Sequence, residues 1–345
     1  MRCIARCTFF VALFATLTVA RLSQGAETVW PAPDWQTATP ESQGLSPVGV
    51  EKVGEWLKGA GSRTGLLVRH GRIVGEWYFE DATPASKYIV YSTTKSFAST
   101  AAGLAIEEGK LTRDTKVGQL LPEASPAGKQ NVTVRQIISM STGVHNNAQI
   151  HTHPNLFAYS LSQAPMDHEP GTKWDYNNTG LALLSPMFLK ATGRSLDQYL
   201  NEKVFQPIGI KAGEWSWEKR GETPLSYSGL HITARGLARY GLLFLNKGTW
   251  QEKQVVPAAW VTEATGPSQD LNKSYGYLWW NNTTGKWPGV PADAYASLGK
   301  NDNSMLIVPS LDLVVLRQVG DYSGPPRKLN IGELWKLSCD AVTEK

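Results

Sequence analysis

The chain has 345 residues, 41% of them hydrophobic and 19% charged, enough to bury a core in one large domain or two lobes. With 34 Lys and Arg against 30 Asp and Glu, its charge gives no reason to expect a nucleic-acid or membrane-surface partner. Its three cysteines include Cys3 and Cys7 at the extreme start, which leaves no disulfide framework to hold the remainder.

Residues 1–25 read as a secretory signal. Arg2 and Arg6 precede an apolar run from Thr8 to Ala20 that is too short to span a bilayer, and Ser23-Gln24-Gly25 supplies small residues for cleavage after Gly25. Removing it also removes Arg2, Arg6 and Arg21, so the chain is expected to be exported, periplasmic or secreted, and nearly neutral. Cys339 is then its one thiol. Residues 26–345 are expected to form one domain, with a sheet lobe from residues 46–80 and 246–345 and a helical lobe from residues 81–245.

The stretch over residues 26–45 is Pro- and Trp-bearing and irregular, and a helix is predicted over residues 46–57. Leu66-Leu67-Val68-Arg69 and Ile73-Val74-Gly75-Glu76-Trp77, joined through His70-Gly71, predict a hairpin. Tyr88-Ile89-Val90-Tyr91 then reads as an extended lead-in to a helix over residues 92–108, stopped by Gly109.

That helix opens with Ser92-Thr93-Thr94-Lys95. Residues three apart share a helix face, so the Lys95 amine comes under the Ser92 hydroxyl, where burial would lower its pKa and make it a base for a serine nucleophile. Taken alone, Ser92 is equally an N-cap and Lys95 a solvated lysine. A second S-x-x-K, Ser216-Trp217-Glu218-Lys219, lacks the helical context.

Helical patterns dominate residues 92–245, with predicted helices over residues 134–141, 180–191, 196–203 and 233–246. Four of the six histidines, His145, His151, His153 and His168, fall in one stretch. No Cys or His-Glu-x-x-His accompanies them, so a loop over the site is expected there and no metal or other cofactor. Tyr176-Asn177-Asn178 follows a Pro170-Gly171 turn that could present a side chain into a cleft; Tyr199-Leu200-Asn201 has the same Y-x-N spacing. Strands return over residues 276–280, 294–298, 304–309 and 312–318, before a closing helix over residues 331–342. Strands at both chain ends with helices between them imply an α/β fold: one antiparallel sheet built from both termini, flanked by helices, with a mostly helical lobe inserted. There is no Gly-x-Ser-x-Gly elbow and no phosphate-cradling glycine loop.

The order S-x-x-K, Y-x-N and a late strand lysine resembles the serine hydrolases of the class C β-lactamase and penicillin-binding protein superfamily. Longer strings carry the likeness: Tyr91-Ser92-Thr93-Thr94-Lys95-Ser96, Pro170-Gly171-Thr172-Lys173-Trp174-Asp175-Tyr176-Asn177-Asn178, Thr233-Ala234-Arg235-Gly236-Leu237-Ala238-Arg239-Tyr240-Gly241, and Leu306-Ile307-Val308-Pro309-Ser310-Leu311-Asp312-Leu313-Val314-Val315. The wording is most similar to the carboxylesterase and 6-aminohexanoate-dimer hydrolase branch. The resemblance implies a β-lactamase/transpeptidase-like fold and a small ester or amide substrate. By the same likeness Ser92 would be the acylated nucleophile, Lys95 its base, and Tyr176 the phenol relaying a proton to the leaving group. Asn178 would hold substrate and Lys95. Lys300 would open the third motif, and the backbone N–H groups of Ser92 and Asn303 would form the oxyanion hole.

The third motif departs from the family's Lys-Thr-Gly, reading Lys300-Asn301-Asp302. The Asp302 carboxylate would repel substrates that carry a carboxylate of their own, which argues against a β-lactamase or D,D-peptidase. An alternative placement on Ser297-Leu298-Gly299 loses the lysine and is the less favoured one. Loss of the Thr-Gly pair also leaves open a non-hydrolytic binding or sensing protein on the same scaffold. Trp279-Trp280 could line an acyl pocket.

Overall fold

A computed structural model of the chain describes residues 28–322 and 330–344. The signal segment read over residues 1–25 lies outside the described residues.

Helix α1 (Pro47–Gly59) starts where Ser46 accepts a hydrogen bond from the Gly49 N–H at 3.2 Å. Strands β1 (Thr64–Arg69) and β2 (Arg72–Tyr78) form the expected hairpin. Its two turn residues, His70 and Gly71, have φ of 51° and 74°, the left-handed pair that a two-residue hairpin turn requires. A Cβ on Gly71 would stand 1.8 Å from the Val29 carbonyl oxygen, so both conformation and space restrict this position to glycine.

The C-terminal part supplies β3 (Trp280–Asn281), β4 (Tyr295–Gly299), β5 (Asn303–Val308) and β6 (Leu313–Gln318). The six-stranded antiparallel sheet runs β3-β4-β5-β6-β1-β2. Its two chain ends meet where β1 pairs with β6, Leu66 opposite Leu316 and Thr64 opposite Gln318.

The inner strands read as continuous apolar runs because both faces of the sheet are covered. On one face Leu66, Val68, Met305, Ile307, Val314 and Leu316 join the large core shared with the helical region. The alternate residues Leu67, Leu306, Val308, Leu313 and Val315 pack on the other face with Val53 and Leu57 of α1 and with Leu334 and Trp335 of the closing helix Ile331–Asp340. Period-two alternation therefore divides two cores between the faces of one sheet.

Helix α2 (Thr94–Glu107) crosses the middle of the large core and is buried on all sides from Thr94 to Ala105, which explains why its sequence carries no polar stripe. Small residues permit close approach, since a Cβ on Gly103 would lie 2.3 Å from the Trp260 ring. Helix α3 (Ala234–Leu245) joins α2 to the sheet: Phe97 stacks on Tyr240 at 3.8 Å, and the Tyr240 hydroxyl donates to the Ser96 carbonyl.

Three sequence expectations change. The strand expected over residues 276–280 shrinks to Trp280–Asn281, because Gly276 is wedged against the Ala264 carbonyl and Leu278 takes φ 64°. The helix expected over residues 180–191 divides into Asn178–Ala182 and Leu184–Thr192, where Pro186 has no N–H to continue the first segment's ladder. The middle of the chain also holds a second antiparallel sheet, Lys87–Ile89, Leu230–Thr233 and Trp215–Trp217.

Candidate active site

Ser92 sits in a single 3₁₀ turn, Tyr91–Thr93, between the strand Lys87–Ile89 and α2. Tyr91 just before it has φ 47°, a left-handed conformation that is costly for an aromatic residue. The turn is held by neighbours: the Tyr91 hydroxyl donates to Asp321 at 2.8 Å, and Thr94 Oγ1 accepts the Leu230 N–H at 3.1 Å.

One turn further on, Lys95 Nζ lies 2.8 Å from Ser92 Oγ and donates to the Tyr227 carbonyl at 2.9 Å. Lys95 is 1% exposed, and burial holds its amine well below the ordinary lysine range. No carboxylate bonds to it among the described residues. The amine also lies 4.9 Å from the Tyr176 ring centre.

Tyr176 lies on an extended segment that is anchored on both sides. Asp175 N–H donates to the Met140 carbonyl, and the Asn177 side chain caps the following helix by accepting the Gly180 N–H at 2.8 Å. The ring stacks on Trp280 at 6.0 Å and meets Tyr275 edge-on at 6.1 Å. The sequence suggests that nearby ammonium groups would ease ionisation of this phenol. The structure reverses that expectation: burial pushes Tyr176 up to about 12, with only a hydrogen bond to the Ser92 hydroxyl opposing it. Lys95 does not supply a lasting positive charge if it is itself neutral.

A cleft of about 490 Å³ opens over Ser92 and is lined by Tyr91, His151, Asn178, Glu218, Ser228, Lys300 and Asp321, with Ile89 at its edge. Ser92, Lys95, Tyr176, Asn178 and Lys300 are thus brought together. Asn178 does not bond to Lys95, whose second partner is the Tyr227 carbonyl. Its Nδ2 lies 3.4 Å from His151 Nε2, and its Oδ1 is buried with no hydrogen-bond partner among the described residues.

The third motif needs correction. Gly299, at the end of β4, abuts the nucleophile's turn so closely that a Cβ there would lie 2.2 Å from the Val90 carbonyl and 3.3 Å from the Ser92 nitrogen. A glycine requirement at the strand end beside the serine belongs to the Ser297-Leu298-Gly299 placement, with Ser297 where the family has lysine. Asn303 is not an oxyanion donor, because its N–H is bonded to the Lys300 carbonyl. Its side chain is structural: Oδ1 accepts from Val319 and Gly320, and Nδ2 donates to Lys300 O. Asp302 does not line the cleft; the charge it feels is Arg317, whose guanidinium also binds the Asp302 carbonyl. Lys300 reaches the cleft from the turn after β4, its ammonium 5.5 Å from the Tyr91 ring centre.

The two decoys separate from the site. Ser216 is exposed on the strand Trp215–Trp217, and Lys219 beyond it pairs with Asp197. Tyr199 packs edge-on against Phe188. The four histidines disperse: His145 pairs with Asp167, His153 packs on Tyr159, His168 meets Lys173, and only His151 lines the cleft. Sequence reasoning missed His151 as a wall residue, along with Glu218, Ser228, Asp321 and the Tyr227 carbonyl. A backbone carbonyl leaves no signature in sequence, and the other four lie far apart in it.

A buried lysine beneath a serine on a helix-opening turn, a phenol opposite and a sheet made from both chain ends define the β-lactamase/transpeptidase fold of serine hydrolases. The chain belongs to the beta-lactamase family, whose profile matches residues 60–317. An uncharacterised protein of Alkalihalophilus pseudofirmus is 24% identical over 315 residues, 80% of this chain and 88% of its own length. The 6-aminohexanoate-dimer hydrolase of Paenarthrobacter ureafaciens is 20% identical over 285 residues, covering 73% of this chain and 71% of that protein. A solved family VIII carboxylesterase superposes with a TM-score of 0.68 at 19% identity, over 86% of this chain and 97% of its own.

Proposed function

We propose that this protein hydrolyses a small ester or amide through an acyl-enzyme on Ser92. One observation carries the reading: a lysine with no anionic partner among the described residues, buried to 1% exposure, stands 2.8 Å from the serine hydroxyl. A neutral amine that donates one N–H to the Tyr227 carbonyl keeps its lone pair for the Ser92 proton. Ser92 Oγ then bonds to the substrate carbonyl carbon as its proton passes to Lys95. The protonated phenol of Tyr176 passes a proton to the leaving oxygen or nitrogen and recovers one from the Lys95 ammonium, so no phenolate accumulates. Water repeats the exchange to release the acid. The developing oxyanion is assigned to the backbone N–H groups of Ser92 and of the strand end at Gly299–Lys300. One such donor is worth about 3–4 kcal/mol in the transition state.

A β-lactamase or D,D-peptidase is the second reading, and Lys300 favours it as a cation in the cleft. Glu218 and Asp321 in the same wall oppose it, since two carboxylates face any anionic substrate. Export through the segment over residues 1–25 is also part of the proposal, checked by N-terminal sequencing of the mature protein. The deciding experiment is labelling with a fluorophosphonate and a fluorescent penicillin. Labelling by the first alone, lost in Ser92→Ala and retained in Ser216→Ala, is expected. Penicillin labelling would favour the second reading, and labelling by neither would mean a binding protein.

A further inference from the structure

His151 lies in the short 3₁₀ turn Ile150–Thr152, with one face open to the cleft and the other packed. Its ring meets Tyr227 edge-on at 5.0 Å, and its carbonyl accepts a hydrogen bond from Arg220 Nη2 at 2.9 Å. Tyr227 is the residue whose carbonyl holds Lys95, and Asn178 Nδ2 lies 3.4 Å from His151 Nε2. The imidazole thus touches two of the groups that surround the Ser92–Lys95 pair without touching the pair itself.

An amide side chain has two ends, and which end faces inward depends on what the other end binds. With Nδ2 directed at His151, the Asn178 oxygen is turned inward, where it is buried and unpartnered. An unpaired buried acceptor is costly, and such groups in a catalytic cleft mark a place where a donor arrives. The reaction creates one. Once Lys95 has taken the serine proton it carries a third N–H, while its resting partners are only Ser92 Oγ and the Tyr227 carbonyl.

We propose that His151 is a positioning residue that holds the Asn178 amide with its oxygen inward, ready to accept from Lys95 when that amine becomes an ammonium. This inference rests on the acyl-enzyme reading above. It requires a neutral imidazole with the proton on Nδ1 and the lone pair on Nε2 facing the amide. Burial of its packed face lowers the His151 pKa, with Lys300 and Arg220 acting in the same direction and Glu218 against them. The ring is thereby kept as an acceptor at neutral pH.

The test uses the full-length mature protein and three variants, His151→Gln, His151→Leu and Asn178→Asp, on a p-nitrophenyl ester. Wild type is first labelled with a fluorophosphonate; absence of labelling at Ser92 would remove the serine-hydrolase reading itself. With labelling secured, His151→Leu should lower kcat about tenfold or more with KM changed less than threefold. His151→Gln, whose amide oxygen can still accept from Asn178, should recover most of it. The acid limb of kcat should shift downward in pH in the leucine variant, since a Lys95 ammonium stripped of its third acceptor gives up its proton more readily and the amine, which must be neutral to act, then stays neutral to lower pH. Asn178→Asp supplies an oxygen inward whichever way it turns, so in that background His151→Leu should cost little. Equal kcat in wild type and His151→Leu, or no recovery by glutamine with all variants melting alike, would overturn the proposal.

Discussion

At the scale of single residues the site is decided by where charge is permitted. Lys95 and Tyr176 are buried together, and burial moves them in opposite directions, the amine down and the phenol up to about 12. Burial therefore favours the neutral form of each. The expected profile is a kcat/KM that rises with pH through an apparent pKa well below the ordinary lysine value of about 10.4, with no loss from phenol ionisation until strongly alkaline pH. Stopped assays from pH 5 to 10 on a neutral ester would show it. The same burial opposes folding. The unfolded chain binds a proton on Lys95 that the native state excludes, so this residue destabilises increasingly as pH falls from about 10.4 to its native value and by a constant amount below. Lys95→Met should then lower kcat by at least about 10²-fold yet gain roughly 1–2 kcal/mol at pH 7, a gain that vanishes above pH 10.5; activity and calorimetric melting on one preparation check both halves. Charge at the cleft mouth sets substrate preference by the same reasoning. Glu218→Gln removes a like charge that costs a carboxylate-bearing substrate about 1–4 kcal/mol at a few ångströms, and should raise nitrocefin turnover about tenfold while leaving a neutral ester nearly unchanged. Asp302→Gly, placed outside the cleft, should do neither.

At the scale of elements, the placement of the serine depends on a strand end as much as on a helix. Gly299 closes β4 against the backbone of residues 90–92, so Gly299→Ala must push strand and turn apart. A loss of 1–3 kcal/mol in stability is expected from overpacking, together with a fall in kcat/KM for esters and amides alike; labelling rate against melting temperature separates the two effects. Helix α2, the hairpin and the β5–β6 pair were legible in sequence because local pattern decides them: a Gly stop, a His-Gly turn, a long β-branched run. The third motif was not, because aligning a strand end depends on which glycine another segment crowds, and that is a tertiary fact. Of the small sheet, Lys87–Ile89 overlaps the extended lead-in read over residues 88–91, while its partners Leu230–Thr233 and Trp215–Trp217 escaped for a similar reason. Its strands are three or four residues long, too short for period two to register against a helical background.

At the scale of the whole molecule, β1 reaches its partner β6 across almost the entire chain, Thr64 opposite Gln318. Contacts that distant in sequence make folding slow and all-or-none for the sheet. A chain cut after residue 300 retains Ser92, Lys95 and Tyr176 but leaves β1 without β6 and β4 without β5 beside it; it should fail to label with a fluorophosphonate and be digested at low protease, where the intact protein resists. The apolar runs of β5 and β6 are covered on both faces, and the closing helix Ile331–Asp340 with α1 supplies the cover on one of them. Export was read from residues 1–25 alone and has no counterpart in the packed domain.

The stacking of Tyr176 on Trp280, with Trp174 edge-on to the same indole at 6.0 Å, also gives the protein an optical handle. Indole emission responds to nearby proton donors and to exclusion of water, so the filling of the cleft by an acyl group should change the brightness and colour of Trp280 without any added dye. The signal would arrive with the covalent bond and decay with its hydrolysis, reporting the two half-reactions as separate kinetic phases in a single stopped-flow trace. Trp280→Phe should remove most of the amplitude while the remaining twelve indoles supply a constant background.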